Sequence, residues 1–181
     1  MRIEVVWGSM FSGKTEELLR RLNRAAYAGR KVMLFKPGVD HRNGGDHVFS
    51  HGGVSFKATT LEQAEDILGW VEEYHPDVVG IEEGQFWQGL IPVAMKLRAM
   101  GVLVIIAGLD MDSFGQPFGD MPHLAAIADR CDKLNAVCTK CGADAYISHR
   151  RSRGSYSQVF VGGRDEYTAL CHKCHQEETQ S

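Results

Sequence analysis

The sequence has no apolar run that approaches the roughly 18 to 20 residues needed to span a bilayer. Residues 1–4 also lack the apolar core and cleavage site of a signal peptide, and they lead directly into a strand pattern. We therefore expect a cytoplasmic protein.

An excess of charge of either sign is also missing. The 181 residues include 20 Lys and Arg against 23 Asp and Glu, which leaves a formal net charge of −3. This balance gives no electrostatic reason to bind nucleic acid or an anionic membrane. With 44% hydrophobic and 24% charged residues, the chain is expected to fold around a packed core, as one full domain with a small appendage.

Cysteine is scarce, but its spacing is informative. Four of the five cysteines form two Cys-x-x-Cys pairs, Cys138 with Cys141 and Cys171 with Cys174. In a chain without an export signal, this pattern favours a metal site over disulfides. Two such pairs can close the four-sulfur shell typical of structural zinc, with iron as the competing metal. The fifth cysteine, Cys131, is predicted to be an ordinary buried thiol.

The segment between the two cysteine pairs allows two interpretations. Its basic residues 149–153 could form a solvated arm, or the whole segment could be a lid held in place by the metal. If the metal holds a lid, its loss should disorder the chain after about residue 134 and abolish ligand selection there. His172 and His175 could replace a cysteine ligand, but we expect both to be solvated.

Apolar runs typical of buried strands alternate with stretches typical of helices. Strands are predicted at residues 3–7, 31–35, 77–82 and 102–107, and helices at residues 15–28, 60–74 and 90–100. Thr60 with Gln63 resembles a capping box for the second helix, and residues 37–53 are predicted to form a long loop. The alternation indicates an α/β fold whose parallel sheet is covered on both faces. It fades near Leu134, so we predict an α/β domain over residues 1–134 and a small metal-organised module over residues 135–181.

A phosphate-binding motif lies between the first strand and the first helix. Residues 8–15 match the pattern G-x-x-x-x-G-K-[ST], whose backbone N–H groups and helix dipole cradle phosphates. Lys14 would reach the outer phosphates, and the Thr15 hydroxyl would hold Mg²⁺. A glycine-rich turn with a solvated lysine is the alternative, which the flanking strand and helix disfavour. The predicted phosphate-binding residues of this loop are Gly8, Ser9, Met10, Phe11, Ser12, Gly13, Lys14 and Thr15.

Two adjacent carboxylates, Glu82 and Glu83, end the strand predicted at residues 77–82. Adjacent side chains on a strand point to opposite sides, so one carboxylate can face Mg²⁺ while the other faces the phosphate acceptor. A solvated acidic turn is the alternative. Residues 84–87 add polar and aromatic side chains suited to a planar ligand.

In this order, the residues resemble the type II thymidine kinases, the zinc-containing cytosolic family. The resemblance covers almost the whole chain. It rests on residues 8–15, 35–42, 50–52, 83–86, 108–119, 136–142 and 167–174.

The resemblance implies a RecA-like P-loop core with a zinc-bearing lasso domain. The implied reaction transfers the γ-phosphate of ATP to the 5′-hydroxyl of thymidine or deoxyuridine. Glu83 would be the general base, and Thr15 and Glu82 would hold Mg²⁺. The ATP and phosphate site would also include Glu82, Asp40, Arg42 and Gln85. The residues implied to hold the nucleoside are Met10, Leu109, Phe114, Phe118, Val161, Gly162, Gly163 and Tyr167.

The resemblance further implies a homotetramer that thymidine triphosphate inhibits from the nucleoside site, with no nucleic-acid or membrane partner. Three positions depart from the family's pattern. Glu82 stands where the family has an aspartate, and Leu170 stands where it commonly has a basic residue. Ser113 stands where the family has an aromatic residue, while in this chain the aromatic Phe114 takes the next position.

Two other functions fit parts of the sequence. A nucleotide switch or motor would use the same loop with water as the phosphate acceptor. A zinc-ribbon nucleic-acid module with a degenerate nucleotide-binding core would use the cysteine pairs, but the net charge of −3 speaks against it.

Overall fold

The computed structural model describes residues 1–39, 47–49, 55–151, 162–163 and 165–180. The strands in this part of the chain are β1 (Ile3–Gly8), β2 (Val32–Pro37), β3 (His47–Phe49), β4 (Ser55–Lys57), β5 (Thr59–Leu61), β6 (Val78–Ile81), β7 (Leu103–Leu109), β8 (Arg130–Leu134), β9 (Ala136–Val137), β10 (Asp144–Ala145), β11 (Ile147–Arg150) and β12 (Tyr167–Leu170). The α-helices are α1 (Lys14–Tyr27), α2 (Asp66–Tyr74), α3 (Leu90–Ala99), α4 (Met121–Ile127) and α5 (His172–Gln180), and a 3₁₀ turn spans Gly84–Phe86.

Six of these strands form one sheet in the order β5-β2-β6-β7-β1-β8, and every neighbouring pair is parallel. The central strand, β7, is buried from Leu103 to Gly108, as expected when both faces of a sheet are covered. The predicted α/β class with a parallel sheet is confirmed.

Helices cover both faces of this sheet. On one face, α1 buries Leu18, Leu19 and Leu22 against Leu34 and Ile105. On the other face, α2, α3 and α4 pack against alternate residues of the same strands. The buried residues of that second layer include Ile67, Val71, Leu90, Val93, Leu97, Met121, Leu124, Val104 and Ile106.

The predicted capping box at Thr60 is wrong. Thr60 lies in the edge strand β5, where it pairs in parallel with Lys36, and the helix begins only at Asp66. Pairing with an existing strand satisfies the backbone groups of this β-branched stretch, which outweighs the local capping pattern. The predicted loop at residues 37–53 is also partly wrong, because β3 pairs antiparallel with β4.

A separate apolar cluster follows the last strand of the sheet. β9 pairs with β10 and β11 pairs with β12, both antiparallel, and α5 follows. The predicted domain boundary after residue 134 falls between the last residue of β8 and the first residue of β9, and it stays a prediction. Leu170 is 1% exposed in this cluster, which explains why an apolar residue is favoured there. The buried members of the cluster are Ala136, Cys138, Ala145, Ala169, Leu170 and Cys174.

Across the described residues, no helix combines the length and the apolar character that crossing a membrane would require.

Candidate active site and metal centre

The phosphate loop connects β1 to α1. Gly8 has a φ of 146°, and a Cβ atom there would lie 2.1 Å from the carbonyl oxygen of Leu134, so the end of β8 leaves room only for glycine. Gly13 adopts a left-handed conformation, with φ 85°, directly before the helix begins at Lys14. These two glycines, with four residues between them, let the chain turn from the strand into the helix without a steric clash at either glycine.

Two side chains of the loop fold back onto its own backbone. The Lys14 ammonium donates a hydrogen bond to the carbonyl oxygen of Ser9 at 2.7 Å, and the Ser12 hydroxyl donates to the same oxygen at 2.8 Å. Ser9 itself is 1% exposed. The loop is therefore a compact, internally bonded turn at the carboxyl edge of the sheet, where ligands bind in open α/β folds.

A short hydrogen bond links this loop to the end of β6. The hydroxyl of Thr15 donates to Oε1 of Glu82 at 2.6 Å, and Glu82 is 6% exposed. Two bonds fix the backbone at Glu82. Its N–H donates to the carbonyl oxygen of Phe35, and its own carbonyl oxygen accepts the indole N–H of Trp87 at 3.0 Å. Trp87 is 3% exposed and packs in the core, and the predicted planar-ligand site at residues 84–87 stays a prediction.

The chain changes direction at Glu83. Its backbone is left-handed, with φ 52° and ψ 49°, and it leads into the 3₁₀ turn Gly84–Phe86. The Glu83 carboxylate accepts a hydrogen bond from the side-chain amide of Gln85 at 2.6 Å. The two neighbouring carboxylates thus bond to different groups: Glu82 to the phosphate loop and Glu83 to the turn that follows it.

Gln85 connects this turn to the end of β7. Its side chain is buried, and while its amide nitrogen bonds to Glu83, its amide oxygen accepts the N–H of Leu109 at 2.9 Å. A Cβ atom at Gly108 would lie 2.8 Å from that same amide oxygen. Both ends of the Gln85 amide therefore contact protein, and its predicted role in phosphate binding stays a prediction.

Aromatic side chains lie beside this turn. Phe118 is 4% exposed and meets Phe86 edge to face, with 5.7 Å between the ring centroids. Phe114 is 47% exposed in the turn that follows β7. Phe86 belongs to residues 84–87, which the sequence predicts to suit a planar ligand, although it is not among the nucleoside contacts that the resemblance implies.

The segment that carries Phe114 is held by two buried aspartates. Asp112 accepts the N–H groups of Phe114 and Gln116, each at 2.9 Å. Asp110, which is 3% exposed, forms an ion pair at 2.9 Å with Lys133 on β8. This pair ties the end of β7 to the edge strand beside the phosphate loop.

The remaining predicted nucleoside contacts lie partly on the C-terminal module and partly on the phosphate loop. Tyr167, at the start of β12, is 7% exposed, and its N–H donates to the carbonyl oxygen of Gly163. The N–H of Gly163 donates to the Glu166 carboxylate at 2.7 Å, while Gly162 and Met10 are half-buried. The predicted residues Asp40, Arg42 and Val161 lie outside the described residues.

The four paired cysteines converge. The sulfur atoms of these residues all lie within 4.8 Å of one another: Cys138, Cys141, Cys171 and Cys174. Burial favours the neutral thiol of Cys138, but the backbone N–H groups of Cys171, Cys141 and Lys140 outweigh it and lower its pKa to about 6. Four converging cysteine sulfurs are the donor set of a closed, tetrahedral zinc site.

The other residues near this cluster differ from expectation. Cys131 lies exposed on β8 rather than buried. His175 is half-buried, with its Nδ1 atom 3.0 Å from Nδ1 of His149, so it is not simply solvated. His172 is exposed and stacks on Tyr146. Within the described part of the chain, the only metal-ligand cluster contains neither His172 nor His175.

Comparison with known proteins gives a consistent result. The family model described as thymidine kinase matches residues 1–175. A protein of Bacteroides thetaiotaomicron named thymidine kinase is 49% identical over 175 residues, which cover 96% of this chain and 86% of that protein. Thymidine kinase of Porphyromonas gingivalis is 49% identical over 174 residues, covering 96% and 84%. Thymidine kinase of Coprothermobacter proteolyticus is 44% identical over 180 residues, covering 96% and 90%.

Proposed function

The chain belongs to the thymidine kinase family, and from this membership we propose that it transfers the γ-phosphate of ATP to the 5′-hydroxyl of thymidine or deoxyuridine. The products are ADP and the nucleoside 5′-monophosphate.

The observation that carries this proposal is the 2.6 Å bond between Thr15 and Glu82. It joins the hydroxyl at the end of the phosphate loop to a buried carboxylate at the end of β6, which is separated from β1 by β7 in the sheet. Proteins with a phosphate loop of the G-x-x-x-x-G-K-[ST] pattern use the hydroxyl of its last residue and a strand-end carboxylate together to hold Mg²⁺ beside the phosphates. The Glu83 carboxylate, next in the chain, supplies a candidate proton acceptor within the same site.

The donor nucleotide would be gripped by the loop. Backbone N–H groups ahead of α1 and the positive end of its dipole would face the phosphates, and Lys14 would leave the Ser9 carbonyl to pair with them. Thr15 and Glu82 would hold the Mg²⁺ that accompanies ATP, and this ion would neutralise charge that develops on the phosphate oxygens. Asp40, Arg42 and Gln85 are the further proposed members of the ATP and phosphate site.

Glu83 would act as the general base. It would accept the proton of the 5′-hydroxyl while that oxygen bonds to the γ-phosphorus and the bond from the γ-phosphorus to the bridging oxygen of ADP breaks. The Gln85 amide holds one oxygen of Glu83. Such a contact limits the positions that the carboxylate can sample, which favours alignment with the hydroxyl.

The nucleoside would be bound between the turn after β6 and the C-terminal module. Phe118 and Leu109 would offer an apolar wall to the nucleoside, and Phe114 and Met10 would also contact it. Tyr167 and the main chain of residues 161–163 would read the base edge. Thymine and uracil present an acceptor, donor, acceptor edge that cytosine does not share, so main-chain groups can select between them.

The four cysteines would hold a structural zinc ion in the lasso domain proposed at residues 135–181. A closed four-sulfur shell leaves no open position for substrate, so zinc would stabilise the fold of this domain. We further propose a cytoplasmic homotetramer that thymidine triphosphate inhibits by occupying the nucleoside site.

The test is a nucleoside panel. Purified protein is incubated with Mg-ATP and, separately, thymidine, deoxyuridine, deoxycytidine and deoxyadenosine, and monophosphates and ADP are both measured. Phosphorylation of thymidine and deoxyuridine, with one ADP released for each monophosphate, is expected. ADP release that is independent of any nucleoside would instead support a switch or motor with water as acceptor.

A further inference from the structure

The four-cysteine module touches the phosphate loop directly. The hydroxyl of Ser9 donates to the carbonyl oxygen of Ala145 at 3.2 Å, and the backbone N–H of Met10 donates to the hydroxyl oxygen of Ser148 at 2.9 Å. Ala145 and Ser148 belong to β10 and β11 of the module. These bonds join residues that are 136 and 138 positions apart in the sequence.

The next residue of the loop packs into the module's core. Phe11 lies against the apolar cluster that contains Cys138 and Cys174, two of the four proposed metal ligands. Its backbone is left-handed, with φ 66°. For a bulky residue this conformation is strained, so the surrounding contacts must hold it. The module supplies those contacts.

The bond to Ser148 also changes how the loop uses its backbone. In a phosphate loop, successive N–H groups usually point toward the ligand. The N–H of Met10 instead donates to a serine that is 3% exposed. A buried donor that loses its acceptor is costly, so this bond selects one orientation of the Met10 peptide and, with it, the course of the loop.

We propose that Ser148 is a positioning residue for the phosphate loop, and that Ser148 and the apolar cluster make the loop's nucleotide-binding conformation depend on the folded four-cysteine module. The inference rests on the proposed function insofar as the loop binds ATP. It adds a role for the module: besides contacting the nucleoside, the module prepares the site for the donor nucleotide. If the loop populates its binding conformation less, the apparent affinity for ATP falls by the same fraction.

The first experiment compares Ser148→Ala with Thr168→Val in the full-length, metal-loaded protein. Thr168 is the matched control because it lies on β12, opposite His149 of β11, is buried, and bonds at 2.8 Å to Thr139 within the module. The Kd for ATP with Mg²⁺ is measured by calorimetry, and zinc per chain by atomic absorption. We expect Ser148→Ala to raise the Kd at least about fivefold with zinc unchanged, and Thr168→Val to leave it within about twofold.

An equal Kd in Ser148→Ala and wild type would overturn this inference while leaving the proposed function intact. Failure of the wild type to bind ATP would overturn both. An equal rise in the two variants would also overturn it, because general loosening of the module would then explain the effect.

A second experiment needs no variant. Hydrogen exchange is followed in the wild-type protein before and after chelation of the metal. We expect hydrogen exchange in residues 9–13 to accelerate at least tenfold after chelation, which corresponds to a loss of about 1.4 kcal/mol of protection. The exchange rates in β7 should not change. Unchanged exchange in residues 9–13 after verified metal loss would overturn the inference.

Discussion

The side-chain amide nitrogen of Gln85 lies 2.6 Å from Oε2 of Glu83, and the opposite end of the same amide accepts the N–H of Leu109 at 2.9 Å. One buried side chain thus connects the proposed base to the strand end proposed to contact the nucleoside.

Replacing Gln85 with methionine keeps much of its volume but removes both bonds. We expect kcat to fall by roughly 10- to 100-fold, because the carboxylate loses its fixed position. Since both ends of the Gln85 amide contact protein, we expect any rise in the Kd for ATP in Gln85→Met to be smaller than the fall in kcat. The control is Gln88→Met, an exposed position in the same region, which should keep the wild-type kcat. A larger change in the KM for thymidine than in kcat would indicate that Gln85 shapes the pocket rather than the base.

Glu83→Gln tests the base itself. The amide is similar in size to the carboxylate but cannot accept the hydroxyl proton, so turnover should fall by roughly 10² to 10⁴. Calorimetry should show ATP binding unchanged. A rate near that of the wild type would remove Glu83 from this role.

Metal removal tests nucleoside selection. Chelation should unfold the cysteine module, because two pairs of thiolates lose the ion that joins them. We expect the affinity for thymidine, measured by calorimetry, to fall to that for deoxycytidine. Limited digestion with trypsin should cut at lysines and arginines in the segment that follows residue 134. Unchanged selectivity in protein verified to be metal-free would contradict this expectation.

Arg21 tests the stability of the α/β core. This side chain is 7% exposed and pairs with Glu4, Glu17 and Asp132, which joins α1 to β1 and β8. Arg21→Met leaves the buried Glu4 with less compensation, so the free energy of unfolding in urea should drop by roughly 3–5 kcal/mol. Arg20→Met is the control, since its pair with Glu17 lies at the surface, and it should cost less than about 1 kcal/mol.

The same cluster predicts a pH dependence. Hydrogen bonds from Arg20 and Arg21, opposed by partial burial, lower the pKa of Glu17 from 4.5 to about 2. A carboxyl whose pKa is lower in the folded state stabilises the protein above its ordinary pKa and loses that contribution as the pH falls. Glu17→Gln should therefore show a smaller loss of unfolding free energy between pH 4.5 and 2 than the wild type, by roughly 1–2 kcal/mol. Glu72→Gln, an exposed position on α2, should follow the wild type.

The sequence was most informative where one local pattern determines the structure. The apolar runs predicted β1, β2, β6 and β7, because a strand buried on both faces has to be apolar along its length. β8 was missed: its sequence, Arg-Cys-Asp-Lys-Leu, is mostly polar, and it forms because β1 offers an unpaired edge. The prediction that Thr60 caps a helix is wrong for a related reason: Thr60 pairs with Lys36 of β2, and no pattern in the residues around Thr60 indicates that pairing.

The site divides in the same way. Residues 8–15 and the two cysteine pairs could be found from spacing alone, because the phosphate loop is one continuous segment and each pair places two thiolates three positions apart. The partners of these residues could not. Ser148 meets Met10, and Asp110 meets Lys133, only after the sheet and module have folded, and neither serine nor lysine carries a sequence pattern that reports such a contact.

Helix α1 carries Thr15 in its first turn and Arg21 less than two turns later. Arg21 is six residues after Thr15, which corresponds to about 9 Å along the helix axis. Thr15 bonds to Glu82 at the end of β6, and Arg21 bonds to Glu4 on β1. An inserted or deleted residue in this interval would rotate one of the two side chains by about 100° away from its partner. The start of α1 can therefore vary in composition but not in length.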